Sequence, residues 1–304
     1  MHLRKKALSR RILEHWQIYL LLLPAVVYFV IFYYLPMSGL QIAFRNYRVT
    51  RGIWGSDWVG LEYFIKFFRH PQCWMIIRNT LVISLYTLAT FPLSIIAAVL
   101  INELRNDKFK KTVQMITYAP HFISTVVICS MITLFMNQST GLFNGIIERL
   151  GGERVDFLGT SAYFPHIYVW SGVWQDLGWG TIIYLATLSA VSPELHEAAY
   201  IDGANRLQII WHVNLPSILP TIVILLIMNC GRILSVGFEK IYLLQNSLNL
   251  DVSQVISTYT YELGLLGGQY SYSTAIGLLN TVVNVVMLVI VNLISKRLSN
   301  VSLW

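Results

Sequence analysis

The sequence predicts an all-α integral membrane protein with six transmembrane helices. Of its 304 residues 55% are hydrophobic and 12% are charged, and the mean hydropathy is +0.57, which excludes an ordinary soluble domain. An uncharged run from Trp16 to Phe44 is longer than the roughly 20 residues that cross a bilayer as a helix. No segment alternates as barrel strands do, so the backbone polar groups in lipid must be satisfied within helices.

Six apolar segments are long enough to be spans. The first lacks a small-residue cleavage site after a short apolar core, so we interpret it as a retained span and not as a signal peptide. The predicted spans are residues 17–44, 76–101, 115–137, 163–190, 217–236 and 272–295. Because no linker, low-complexity tract or soluble domain interrupts them, we predict a single transmembrane domain over residues 1–304.

Basic residues beside the spans predict the orientation of the chain. An even number of spans places the following groups on one side: Arg4, Lys5, Lys6, Arg10, Arg11; Arg105, Lys108, Lys110, Lys111; Lys296, Arg297. We therefore expect both termini and the segment between spans four and five to be cytoplasmic. The segment after span one is also basic, but it is long, and the rule weakens for long loops. The net charge of +7 then indicates contact with anionic lipid and not with nucleic acid.

The segment of residues 193–216, between spans four and five, is polar and favours a helix, although about 3–6 residues would join the spans. It contains Glu197–Ala199, then Gly203 after three residues, and Val213–Pro216 after nine more. Small residues at fixed positions indicate a helix that another protein contacts. An amphipathic helix lying on lipid is the alternative; it would explain Ile209–Trp211 but not the spacing of the small residues.

Several chemistries are not predicted. No G-x-x-x-x-G-K-[ST] sequence occurs, so the chain is not expected to hold nucleotide phosphates in a P-loop. His196 and Glu197 begin like an H-E-x-x-H zinc site, but Tyr200 stands where the second histidine would be. We interpret His196 and His212 as solvated or capping groups. The cysteines show no metal spacing and are interpreted as buried thiols: Cys73, Cys129 and Cys230. We predict no catalytic residue, metal or cofactor in this chain.

The 193–216 segment resembles the signature loop of permease subunits in binding-protein-dependent ABC importers. The family pattern is E-A-A, three residues, Gly, nine residues and I-x-L-P, and only Val213 departs from it. Nearly the whole chain is similar to the carbohydrate branch, and most to its oligosaccharide or polysaccharide subfamily, at Trp58–Tyr63, Arg78–Leu81, Trp170–Tyr184 and Ser271–Gly277. The resemblance implies the type I importer permease fold with a cytoplasmic coupling helix.

The resemblance also implies the function and the partners. The chain would be a permease subunit of an oligosaccharide importer in a bacterial inner membrane. Its partners would be a second permease, two ATPase subunits that bind ATP and Mg²⁺, and an extracytoplasmic binding protein. The residues expected to couple it to the ATPase are Glu197, Ala198, Ala199, Asp202, Gly203, Leu215 and Pro216. The alanines permit close approach, Glu197 complements the helix dipole, and Gly203 permits a sharp exit from the helix.

Polar and aromatic side chains in spans four to six form a predicted substrate pathway, since such groups are costly in a membrane and suit sugar hydroxyls and ring faces. They are Trp170, Trp174, Asp176, Trp179, Asn229, Arg232, Asn280 and Asn284. Helical spacing predicts a shared face for Trp170 with Trp174, for Asn229 with Arg232 and for Asn280 with Asn284. Each has an alternative. Trp170 would fit an interfacial aromatic belt, Asp176 would pair with Arg232 or a partner subunit, and the asparagines would bond helix to helix.

Two other functions are weighed against this prediction. A secondary sugar transporter driven by an ion gradient often shows inverted repeats with broken helices in corresponding halves, and no such pairing is recognisable. A membrane enzyme, such as a glycosyl or lipid transferase, would need a catalytic carboxylate or a metal cluster at one interface, and none is recognisable either.

Overall fold

The computed structural model describes residues 15–299 and 301–303. The basic N-terminal cluster that was used to predict orientation lies outside the described residues. In chain order the elements are α1 (Trp16–Phe44), β1 (Arg45–Arg48), β2 (Gly52–Trp58), α2 (Glu62–Arg69), α3 (Cys73–Asn102), α4 (Asp107–Phe122), α5 (Thr125–Phe135), α6 (Leu142–Arg149), α7 (Phe164–Ser189), α8 (Pro193–Ile201), α9 (Arg206–Cys230), α10 (Phe238–Leu244), α11 (Leu250–Ser253), α12 (Ile256–Tyr261) and α13 (Tyr270–Ser299).

Helices make up most of the described chain, and its two strands form one small antiparallel hairpin after α1. Four helices are long and apolar enough to cross a membrane, namely α1, α3, α9 and α13. The bent pair α4 and α5 brings the number to five if it is one span. The 26-residue α7 lies within the predicted fourth span and is long enough to cross a bilayer, but it has no 18-residue stretch as apolar as those of these four helices. The all-α class is confirmed, and the count of six spans stays a prediction.

The predicted third span, residues 115–137, is a broken helix. Its two parts, α4 and α5, meet at 95°. Pro120 lies in the last, 3₁₀-helical turn of α4, and Ser124 takes an extended conformation that begins α5, with its Oγ accepting a hydrogen bond from the Val127 amide. A proline followed by a serine N-cap therefore ends one helix and starts another within the apolar segment.

Span five differs from the predicted 217–236 at both ends. Its helix, α9, begins at Arg206, where the Asn205 and Gln208 side chains form a reciprocal capping box. It continues through a π-helical turn at Ile210–Asn214 and ends at Cys230. Hydropathy alone missed the polar first turns. It also extended the span past the end of the helix, because the residues that follow are again apolar.

The interior of the chain is built around α7. Its N-terminal half packs with α3, α5 and α10 in one buried cluster, and its C-terminal half packs with α3 and α9 in another. A Cβ at Gly178 would lie against the Thr117 carbonyl oxygen of α4, and one at Gly180 would lie 2.6 Å from Ser94 Oγ of α3. These glycines therefore let the backbones approach closely, as small residues do at membrane helix interfaces. By contrast, the apolar window of α1 contains no buried residue.

Candidate functional site

A cavity of about 990 Å³ contains part of the predicted pathway and is referred to below as the central cavity. Its walls are α3, α7, α10, and the end of α9 with the turn that follows it. Four residues of the predicted pathway line it, namely Asp176, Trp179, Asn229 and Arg232. Asn229 and Arg232 do not share a helix face as predicted, because α9 ends at Cys230, but the turn brings both to the same wall.

Asp176 and Trp179 are joined by a histidine that sequence reasoning did not select. His121 Nδ1 lies 2.8 Å from Asp176 Oδ1, and the His121 ring stacks on Trp179 with centroids 4.3 Å apart and planes 7° from parallel. Phe122 meets the same indole edge-on at 5.8 Å. The partner of Asp176 is therefore His121 and not Arg232. The sequence feature that could have identified His121 is a histidine beside Pro120 within an apolar segment.

The cavity wall also carries charges without ion-pair partners among the described residues. Arg232 is exposed, and no hydrogen bond or ion pair of its guanidinium is found there. Lys240 of α10 is only 8% exposed, yet its Nζ has no hydrogen-bond partner and lies 5.5 Å from the centroid of the Tyr168 ring. Glu239 adds a carboxylate to the same wall. The cavity thus offers both cationic and anionic groups beside its aromatic surface.

Trp170 and Trp174 lie at a different place. They line a second, largely apolar cavity of about 530 Å³ between α5, α6 and α7. Trp170 Nε1 donates to Tyr86 Oη over 2.9 Å, and that oxygen is 2.8 Å from His166 Nδ1. The two tryptophans share a face with each other, as predicted, but they do not lie on the wall that holds Trp179 and Asp176.

Asn280 and Asn284 of α13 do not line the central cavity. Asn284 is buried; its Oδ1 accepts from the Leu234 amide at 3.0 Å and its Nδ2 donates to Ser235 Oγ at 2.9 Å. This geometry matches the alternative in which the asparagines bond one segment to another. The Asn280 Oδ1 is buried and has no hydrogen-bond partner among the described residues. A contact of either residue with substrate stays a prediction.

The 193–216 segment forms the short helix α8, which we call the coupling helix, followed by a tight turn into α9. Ser192 caps its N-terminus by accepting from the Glu194 amide. At its C-terminus Ala204 N donates to Ala199 O at 2.9 Å and Gly203 N to Tyr200 O at 3.1 Å, a Schellman motif. Gly203 has a φ of +78°, which explains why glycine stands there.

The coupling helix exposes three large apolar side chains beside two glutamates, Glu194 and Glu197. Leu195, Tyr200 and Ile201 are 52%, 62% and 86% exposed, and no residue of the helix is buried. Ala198 and Glu197 are also exposed, whereas Ala199 is half-buried. At positions 195, 200 and 201 these side chains point to different sides of the helix, so a partner that covered all three would have to surround it.

The two histidines of this region are held by hydrogen bonds. His196 Nε2 lies 2.9 Å from Asn214 Oδ1, and His212 Nδ1 lies 2.9 Å from the Gln208 carbonyl oxygen. His196 is therefore not simply solvated, as one alternative held. Among the described residues no group of three or more His, Cys, Asp and Glu side chains is placed to hold a metal ion.

Residues 90–300 match the model of the family "Binding-protein-dependent transport system inner membrane component". The chain belongs to this family. The permease is 42% identical over 295 residues to the polygalacturonan/rhamnogalacturonan transport system permease protein YteP of Bacillus subtilis, a match that covers 97% of this chain and 92% of the relative. It is 43% identical to Protein LplB of the same organism, over 96% of this chain and 92% of that one.

A solved structure gives the same result for the fold. The permease superposes on a chain of a bacterial alginate ABC transporter, which was crystallised with an alginate pentasaccharide-bound periplasmic protein. The TM-score is 0.89 at 39% identity, with 97% of this chain and 99% of that chain covered. The predicted type I importer permease fold and the family resemblance are confirmed. The permease is thus a membrane component of an ABC importer, and the alternative of an ion-gradient-driven transporter is not supported.

Proposed function

We propose that this permease carries oligosaccharides across a bacterial inner membrane, powered by ATP that partner subunits hydrolyse. The central cavity is the observation that supports the proposal. Its volume of about 990 Å³ lies at the upper end of the range of ligand sites, and the exposed Trp179 face is supported from behind by His121. A pyranose ring has an apolar face that an indole covers and a rim of hydroxyls that Asp176, Asn229 and Arg232 can bond.

We extend the proposal to acidic oligosaccharides. The Arg232 guanidinium faces the cavity without an ion-pair partner among the described residues, and a carboxylate of a uronate would supply one in bidentate geometry. Lys240 adds a second positive charge close behind the wall, whereas Asp176 is already paired with His121. The names of YteP and of the alginate transporter both refer to acidic polysaccharides, which supports the same substrate class.

The coupling helix is the proposed docking site of an ATPase subunit. Its exposed side chains Leu195, Tyr200 and Ile201 would enter a cleft of that subunit, and Glu197 and Ala198 lie exposed beside them. The capped N-terminus and the Schellman motif fix the helix as a rigid unit. ATP and Mg²⁺ would be bound entirely by the two ATPase subunits, so this chain needs no cofactor of its own.

A second permease subunit is proposed to cover α1. The apolar window of this 29-residue helix has no residue buried by the described part of the chain, and only its last turns, around the buried Ala43, pack against α13. A helix that is apolar all round and unburied in its own chain is buried by lipid or by another chain. We place both termini and the coupling helix in the cytoplasm, with the binding protein docking on the opposite side.

Reconstitution of the copurified complex in proteoliposomes tests the proposal. With the binding protein outside and ATP inside, we expect uptake of uronate oligosaccharides that stops without ATP and survives collapse of ion gradients. Neutral oligosaccharides of the same length are the matched substrates. Uptake that survives ATP removal but stops when the ion gradient collapses would refute the importer function, and equal uptake of neutral sugars would refute the acidic substrate class alone.

A further inference from the structure

The coupling helix is attached to the membrane-spanning helices through a buried asparagine. Asn214 is 2% exposed and lies in the π-helical turn of α9, directly before Leu215 and Pro216. Its Oδ1 is 2.9 Å from His196 Nε2 of the coupling helix. Because an amide oxygen can only accept, the histidine nitrogen is the donor.

The other end of the same amide reaches a third helix. Asn214 Nδ2 donates to Glu103 Oε1 over 3.5 Å, and Glu103 directly follows the last residue of α3. His196, Asn214 and Glu103 therefore form a continuous chain from the coupling helix through α9 to α3. Both α9 and α3 contribute walls of the central cavity.

Because the Asn214 amide is buried, both of its ends need hydrogen-bond partners within the protein. A buried amide is costly unless both of its ends are bonded, and here one end faces the coupling helix and the other faces α3. The coupling helix has no buried residue of its own, so its side-chain connection to the body of the chain is concentrated at His196. The apolar contacts that hold the larger helices together are largely absent here.

We propose that Asn214, with His196 and Glu103, is a positioning group that transmits movement of the coupling helix to α3 as well as to α9. The inference rests on the proposed function, since it requires an ATPase subunit to move the coupling helix. Covalent continuity through residues 190–192 and 202–205 would move only α7 and α9, the two helices that flank the coupling helix in the chain. The hydrogen-bonded connection adds α3, which is not adjacent to the coupling helix in the sequence, so that three walls of the central cavity respond to one movement.

Four variants of the assembled complex test the inference. His196→Leu and Glu103→Leu each remove one bond, whereas His196→Gln keeps an N–H donor and Glu103→Gln keeps a carbonyl acceptor. We measure oligosaccharide uptake per ATP hydrolysed and the amount of ATPase subunit that copurifies. The leucine variants should lower uptake per ATP about fivefold, the effect of losing one hydrogen bond on an equilibrium, with normal copurification. The glutamine variants should keep at least half of the wild-type uptake per ATP hydrolysed.

The double variant His196→Leu/Glu103→Leu separates a connected chain from two independent sites. If the three residues act as one connected series of hydrogen bonds, breaking the second bond adds little to the loss. The uptake per ATP of the double variant should then match that of the worse single variant. Leucine variants that transport like the wild type, equal losses in the leucine and glutamine variants, or losses that follow reduced copurification would each overturn the inference. A wild-type complex without ATP-driven uptake would instead overturn the proposed function, and the inference with it.

Discussion

His121 and Trp179 lie face to face, with ring centroids 4.3 Å apart and ring planes 7° from parallel. The histidine comes from the bend between α4 and α5, and the tryptophan from the middle of α7. Through its Nδ1 the same histidine holds Asp176 at 2.8 Å. An aromatic plane and a carboxylate are thus fixed relative to each other at the wall of the central cavity before any ligand arrives.

Asp176→Asn should change transport without changing assembly. The amide keeps an acceptor for His121 but loses the negative charge that strengthens bonds to sugar hydroxyls, so we expect uptake to fall about tenfold. Asp57→Asn, a carboxylate of the hairpin 3.6 Å from Arg51, is the matched control and should transport normally. Reduced copurification of the partner subunits with Asp176→Asn would show that the carboxylate serves assembly.

Gly203→Asp should abolish ATPase-coupled transport while the chain still inserts in the membrane. The space around Gly203 is open within the chain, so the new side chain would enter only the docking cleft of the ATPase subunit. Gly203→Ala and Gly203→Asn separate the two roles of the residue. Alanine at φ +78° costs about 1–2 kcal/mol and asparagine less. If the size of the side chain in the docking cleft limits uptake, Gly203→Asn should transport less than Gly203→Ala. If the backbone conformation limits uptake, Gly203→Ala should transport less.

Gly178→Ala should destabilise the chain, because the added methyl group would overlap the Thr117 carbonyl oxygen and separate α7 from α4. Overpacking of this kind costs about 1–3 kcal/mol, which thermal denaturation in detergent would detect as a lower midpoint. Gly172→Ala on the same helix is the control, since its methyl group would lie 3.6 Å from Lys240 Nζ, an ordinary contact. Equal midpoints for the two variants would contradict the packing role of Gly178.

Asn284→Leu should lower thermal stability by about 1–3 kcal/mol, because the Leu234 amide would lose its acceptor in a buried place. Asn280→Leu, one turn earlier on α13, removes a buried oxygen that has no partner among the described residues and should be neutral or stabilising. The comparison is made on thermal midpoints, with uptake measured in parallel. A stable Asn284→Leu protein that fails to transport would return this residue to the substrate pathway.

The coupling helix was predictable because its signals are local. Glu197–Ala199, Gly203 and Leu215-Pro216 lie within one segment, and the left-handed conformation of Gly203 is the one that glycine adopts most readily. The long apolar helices were likewise predictable from composition. The docking role of this segment is still a prediction, since it depends on a surface of another protein.

The central cavity was only partly predictable. Helical spacing correctly grouped Trp170 with Trp174, but it does not show which neighbouring helix faces each side of α7, and the pair lies at a different cavity from Trp179. The contact between His121 and Asp176 joins residues 55 positions apart across a bend. Arg232 reaches the wall from a turn beyond the end of α9. Each of these depends on tertiary packing, which periodicity does not encode.

The unburied α1 has a consequence for how its sequence can diverge. Substitutions in a packed helix are compensated by neighbours in the same chain, but no residue of Trp16–Phe29 is buried against the rest of this chain. Where the proposed second permease covers these positions, their correlated changes would be encoded in another gene. If α1 and the partner subunit that covers it change together, a permease subunit from one importer would be a poor replacement for that of another, even where their cavities are alike.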